Sequence, residues 1–184
     1  MRLTLHYRGQ LRANGSPVHK HELRRAFHAQ LRTLWSQKPL SEHTSLLAPR
    51  NQGEYSLLRN SGAFTFVPLV NAEMDSTAEL SLTLLRPEPP GNLLTQGGDI
   101  DNRLKTLFDA LTMPRHANAL PVDAKPTDGE SPFFCLLEDD NLVTSVQVRT
   151  EQLLEPNSDS SLVELFIFIR TRTTRHTFGN DFLS

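Results

Sequence analysis

The hydrophobic and polar positions of this chain change period several times. Leu3 to Leu11 alternates poorly but is rich in β-formers, and it predicts a strand. Ser16-Pro17 then reads as an N-cap followed by a proline at the first helical position, where the missing N–H costs nothing. A helix is predicted from about Pro17 to Ser36. Leu23, Phe27, Leu31, Leu34 and Trp35 recur at helical spacing, and Lys20, Arg24, Arg25, His28 and Arg32 fall on the opposite side. This basic amphipathic helix reads either as an ordinary solvated helix or as a face for a DNA backbone or a partner.

Residues 38–62 mix proline, glycine, serine and asparagine and predict mostly loop. Phe64 to Val70 reads as a strand. Ala78, Leu80, Leu82 and Leu84 alternate with Glu79, Ser81 and Thr83, as a half-buried strand requires, and Arg86-Pro87-Glu88-Pro89-Pro90-Gly91 stops it. A helix is predicted from about Asp101 to Thr112, followed by a long irregular segment, Met113 to Pro132. A loop of that length inside a compact domain points to function or disorder. Phe133 to Leu137 and Leu142 to Arg149 read as strands flanking a Glu138-Asp139-Asp140-Asn141 turn. Val163 to Arg170 is apolar on both faces and is expected at the centre of its sheet. The pattern predicts an α+β fold, a small mixed β-sheet with packed helices. It divides into a basic N-terminal extension (1–60), packed on or contiguous with the rest, and a core (61–184).

With 184 residues and 38% hydrophobic content, the chain can bury a core, most simply as one domain. The formal net charge of −2 argues against coating nucleic acid by bulk positive charge. That total conceals an asymmetry. Residues 1–59 hold ten Lys/Arg against three acids (+7), whereas 99–164 hold five against thirteen (−8). Arginine supplies 15 of the 19 basic residues, which favours forked phosphate contacts. A single cysteine, Cys135, excludes an intramolecular disulfide and a cysteine-based structural zinc site. Apolar runs such as Leu165 to Ile169 are too short for a bilayer, and the polar start lacks the apolar stretch of a signal peptide. A soluble, cytoplasmic protein is expected.

The chemistry concentrates in Gly97-Gly98-Asp99-Ile100-Asp101-Asn102-Arg103-Leu104-Lys105. Two acids one residue apart open a helix, where the dipole favours carboxylates, and Lys105 stands one turn beyond Asp101. Alone, this is no more than a capped helix with an ion pair. The second acidic cluster, Glu138-Asp139-Asp140, lies between apolar runs. Carboxylates brought within about 4 Å repel by roughly 4 kcal/mol at an effective dielectric of 20, so a convergent cluster takes up protons or a divalent cation. All-oxygen ligation points to Mg²⁺ or Mn²⁺, chemistry suited to phosphodiester hydrolysis. His19, His21 and His28 lack a standard zinc spacing, Trp35, Phe64 and Phe66 fit a core, and Cys135 reads as a small buried hydrophobe.

The ordered set Asp99-x-Asp101-Asn102-x-x-Lys105, Phe108-Asp109-Ala110-Leu111-Thr112 and Asp139-Asp140-x-x-Val143 resembles the RusA family of Holliday junction resolvases, over about residues 63–172. The resemblance implies a homodimer of mixed α/β fold, of bacterial or prophage origin, that nicks four-way junction DNA symmetrically. It implies that Asp99, Asp101 and Asp140 bind Mg²⁺, that Lys105 assists catalysis, and that Asn102 and Asp139 support them. The chain departs from the family in having Gly97-Gly98 where basic residues often stand, in the long 113–132 segment, and in its first 60 residues. The basic helix around Arg24, Arg25 and Arg32, together with Arg103, is the expected substitute for the missing DNA contacts. Alternatives are a non-catalytic module of the same fold that binds DNA or protein, and a nuclease for other branched or phage DNA.

Overall fold

The computed structural model describes residues 1–50, 55–87, 100–155, 159, 161–175 and 180. Its first sheet has four strands in the order β1 (Arg2–Gln10), β7 (Leu162–Thr173), β4 (Ser76–Arg86) and β6 (Val143–Gln152). β7 runs antiparallel to both β1 and β4, and β6 lies parallel to β4 along the far edge. The second sheet joins β2 (Arg59–Ser61), β3 (Phe64–Val70) and β5 (Phe133–Leu137), with β3 and β5 parallel. The fold is mixed α+β, and β7 is central in its sheet as its apolar run predicts.

Helix α1 (Pro17–Trp35) begins at Ser16, whose hydroxyl accepts from the His19 backbone N–H at 3.3 Å, with Pro17 in the first turn. Leu23, Phe27 and Leu31 are at most 2% exposed, and they pack in one core with Leu5, Leu80, Leu82, Leu165 and Ile167 from the inner face of the first sheet. Each such side chain contributes roughly 1.5–3 kcal/mol of apolar burial. The residues of the 1–60 extension are therefore built into the core, because β1 is an edge strand of the sheet and α1 a wall of the interior. Helix α2 (Ile100–Leu111) packs on α1 and hands the chain to β5, where the Met113 N–H donates to the Leu137 carbonyl.

The irregular segment 113–132 contains one short 3₁₀ turn, Ala117–Ala119, and is strapped along α1. Arg25 pairs with Glu130 at 2.7 Å, Arg32 donates to the Gly129 carbonyl at 3.3 Å, and the His28 ring bonds the same carbonyl at 3.0 Å. Gly129 has φ +82°, a left-handed conformation that favours glycine at this point of the strap. Trp35, Phe64, Phe66 and Cys135 are buried as expected, and burial raises the Cys135 thiol far above its ordinary range.

His21 is buried between the rings of Phe64 and Phe133, at centroid distances of 5.2 and 5.9 Å, and neither ring nitrogen has a hydrogen-bond partner. Burial first, then the nearby Arg25 and Arg24 charges, lowers its pKa to about 4. The folded imidazole stays neutral while the unfolded one takes a proton below about pH 6.5. His21 thus favours the fold fully above that pH and progressively less as pH falls towards 4, by about 1.4 kcal/mol per pH unit. Between pH 7 and 5, His21→Leu is expected to lose about 2 kcal/mol less stability than the parent chain in urea unfolding. Equal losses in both proteins would refute the assignment.

Candidate functional site

The first turns of α2 carry the expected acids and lysine. Asp101 lies in the first turn and Lys105 one turn later, both exposed on one side of the helix, with Asp109 a further turn on. Asp99 lies outside the described residues. The start of α2 is fixed by the connection from β1 to α1. The Thr106 hydroxyl donates to the Asn102 carbonyl at 3.1 Å and accepts from the Gly15 N–H at 2.9 Å, and Arg103 donates to the Leu11 carbonyl. A Cβ on Gly15 would come within 2.7 Å of Thr106, so the close approach depends on glycine there. Asn102 is half-buried at this junction, and Arg103 is occupied in holding the β1 end.

The second cluster forms the turn between β5 and β6. Asp139 caps the 3₁₀ turn Asp140–Leu142, its Oδ1 accepting from the Asn141 N–H at 3.1 Å, and it pairs with Arg115. Burial works to raise its pKa, but the Asn141 N–H and the Arg115 guanidinium outweigh it and hold Asp139 below the usual carboxylate range. Asp140 is exposed and 3.9 Å from the same guanidinium. Glu138 is structural: it accepts from Arg59 at 2.7 Å and from the Ala72 N–H at 2.9 Å, tying the end of β5 to β2 and to the β3–β4 turn.

Asp140 faces a cavity of about 460 Å³ whose lining includes Lys20, Asp109, Thr112 and Arg115. Lys20 and Asp109 pair at 2.7 Å. The cavity thus meets the last turns of α2, whereas Asp101 stands eight residues earlier, about 12 Å along the axis. The site is a run of mixed charge, from Asp101 through Lys105, Asp109 and Lys20 to Arg115 and Asp140. Among the described residues, no group of three His, Cys, Asp or Glu side chains is gathered to hold a metal ion. The described acids are exposed oxygen donors, the chemistry that a hard cation takes, and Asp99 is the third member of the expected set.

Lys20, Asp109 and Arg115 belong to this surface and were not singled out for it from sequence. Asp109 carried a usable signal, since it continues the four-residue spacing of Asp101 and Lys105. Arg115 did not, because nothing in an irregular segment fixes its direction.

The basic face expected on α1 is largely enclosed. Arg24 is 3% exposed, and its guanidinium donates to the Asp109 and Ala119 carbonyls at 2.7 and 3.2 Å. Burial lowers its pKa to about 10 despite the Asp109 charge. Arg25 and Arg32 stay exposed on the rim but bind Glu130 and Gly129. The expectation of a free DNA-facing stripe at Arg24, Arg25 and Arg32 is corrected accordingly: the 113–132 segment occupies that side. Among the described residues, no helix is long and apolar enough to cross a membrane. Compared with protein-family models, with curated proteins and with solved structures, the chain finds no match.

Removing a buried guanidinium that serves two carbonyls leaves both acceptors unsatisfied. Arg24→Ala is therefore expected to cost about 2–4 kcal/mol in chemical unfolding. Arg32→Ala, at the exposed rim, should cost less than about 1 kcal/mol. Comparable small losses for both would mean that Arg24 is not structural.

Proposed function

We propose that the chain is a divalent-metal-dependent endonuclease that cuts branched DNA, acting as a homodimer on four-way junctions. The observation that carries this reading is the ordered set Asp99-x-Asp101-Asn102-x-x-Lys105 followed by Asp139-Asp140. Its described members Asp101, Lys105 and Asp140 are exposed, with Lys105 one helical turn from Asp101. Isolated exposed acids are common, but acids combined with a lysine at one helix start and a capped Asp-Asp turn suit phosphoryl chemistry.

In this reading Asp99, Asp101 and Asp140 would hold Mg²⁺ or Mn²⁺, which would supply Lewis-acid polarisation of a phosphodiester and activation of water. Lys105 places a positive charge one helical turn from Asp101, where it offsets charge developing on the phosphate. Asp139 and Asn102 act through position, one by capping the turn that presents Asp140 and the other by sitting where α2 is anchored. Two opposed cuts on a junction need two sites related by a two-fold axis, which is the reason for a homodimer.

Cleavage of a labelled four-way junction, beside a fork and a linear duplex, tests the activity. Paired symmetrical nicks with Mg²⁺ are expected, lost in EDTA and reduced by roughly a hundredfold or more in Asp101→Asn and Asp140→Asn. Mn²⁺ binding without DNA, followed by electron paramagnetic resonance, should weaken in the same variants. Cutting confined to forks would move the substrate to other branched DNA. Absence of any metal-dependent cutting would leave the reading of a non-catalytic module. Light scattering should give about twice the 20.7 kDa chain mass. A strict monomer would remove the basis for symmetrical nicking.

A further inference from the structure

The apolar run of β7 predicts burial on both faces, yet only one face is covered. Val163, Leu165, Ile167 and Ile169 point into the core, while Phe166, Phe168, Arg170 and Arg172 alternate onto the other side. Among the described residues, no element packs on that outer face. Phe168 is 49% exposed there. A single exposed ring means little by itself, and its neighbours give it meaning.

In the strand register Thr4 on β1 and Ser81 on β4 flank Phe168, with Gln147 on β6 beyond Ser81. One row along, Arg2 and Arg170 are direct partners across the β1–β7 ladder. Like charges so placed destabilise a sheet. Glu79, the direct partner of Arg170 on β4 and part of the same groove, is bound to Arg172 at 2.5 Å, and neither Arg2 nor Arg170 makes an ion pair among the described residues. Arg2, Thr4, Ser81, Gln147, Phe168 and Arg170 line a shallow groove of about 630 Å³ across the sheet.

A second ring stands beside the first. Phe166 lies two residues earlier on the same face, about 7 Å along the strand. The His6 ring is tilted against it at 4.8 Å.

We propose that this open sheet face binds single-stranded nucleic acid, with a base stacked on Phe168, a phosphate held between Arg2 and Arg170, and the next base at Phe166. Two guanidinium groups side by side, with the one neighbouring carboxylate taken by Arg172, call for an anion, and an exposed ring beside them calls for a flat apolar partner. Hydroxyl and amide groups at the rim suit the edges of a base. A nucleotide joins all three features, and two rings in succession favour a strand over a free nucleotide. A duplex keeps its base faces stacked and offers the rings nothing. This inference does not rest on the nuclease reading, because it uses neither the acids of α2 nor a metal.

The test is fluorescence anisotropy of a short labelled oligothymidylate with the full chain in EDTA, where metal-dependent cutting is silent and binding is read alone. The single strand should bind more tightly than a duplex of equal length, and thymidine monophosphate should compete poorly. Phe168→Ala should weaken binding by roughly tenfold or more. Arg2→Gln with Arg170→Gln should weaken it and flatten the dependence on salt by about 0.7 in logarithmic slope for the phosphate lost. The thermal midpoint of that double variant should stay level or rise, because a repulsive pair is gone. Equal binding of duplex, full competition by the monophosphate, absence of binding, or variants that bind like the parent would each overturn the proposal.

Discussion

The enclosure of α1 is the constraint from which the rest of the structure follows. At 100° per residue its buried positions, from His19 through Leu23, Phe27, Leu31 and Arg24 to His28 and His21, cover an arc of about 200°. That is about twice the width that an amphipathic helix needs on a single core face. One half of the arc is apolar and meets the sheet. The other half is mostly polar, Trp35 apart, and is covered by the end of α2, β5 and the 113–132 segment, through bonds to the Asp109, Ala119 and Gly129 carbonyls and from the Phe134 N–H. With α1 held on both sides, its N-terminal turn and Gly15 become a fixed surface, and α2 is pinned against it through Thr106.

This arrangement explains what was legible in the sequence. Period located β4 and α1, because β4 alternates strictly and α1 repeats Leu23, Phe27 and Leu31 on one stripe, whereas β1 is legible only through its β-formers and the short β2 falls within the 38–62 stretch that reads as mostly loop. Ser16-Pro17 marked the start of α1 to the residue. The polar half of the α1 arc was not legible. Arg24 and His28 look solvated in any pattern that equates polar with exposed, and their burial depends on carbonyls delivered from residues 85 to 101 positions away. The width of a buried arc is a tertiary property, and a helix pattern reports only its apolar part.

The same contacts account for the charge asymmetry. The basic first third and the acidic 99–164 region do pack together, and they neutralise one another through Arg25 with Glu130 and Lys20 with Asp109. Positive charge that seemed available to a polyanion is spent inside the fold. The motif acids were legible because spacing carries them: Asp101 and Lys105 share a helix side, and Asp140 follows a strand. Their mutual distance was not, since it depends on where the 113–132 segment returns the chain to β5.

Once the internal ion pairs are discounted, Arg2 and Arg170 stand side by side on the open face of the sheet without an ion-pair partner among the described residues, whereas on α1 Arg24 and Arg32 are occupied by backbone carbonyls. Strand β6 connects that face to the acids. Asp140 opens the 3₁₀ turn before it and Ser145 lies in its first half, five residues later, so the two are at most about 18 Å apart. Ser145 borders the groove that holds Phe168. On the proposed binding mode, a strand lying across the groove would end within a few nucleotides of Asp140. A branched substrate contains such unpaired or splayed segments at its centre, whereas a plain duplex does not. The open face and the acidic turn, separate in chemistry, are thus close enough to act on one substrate.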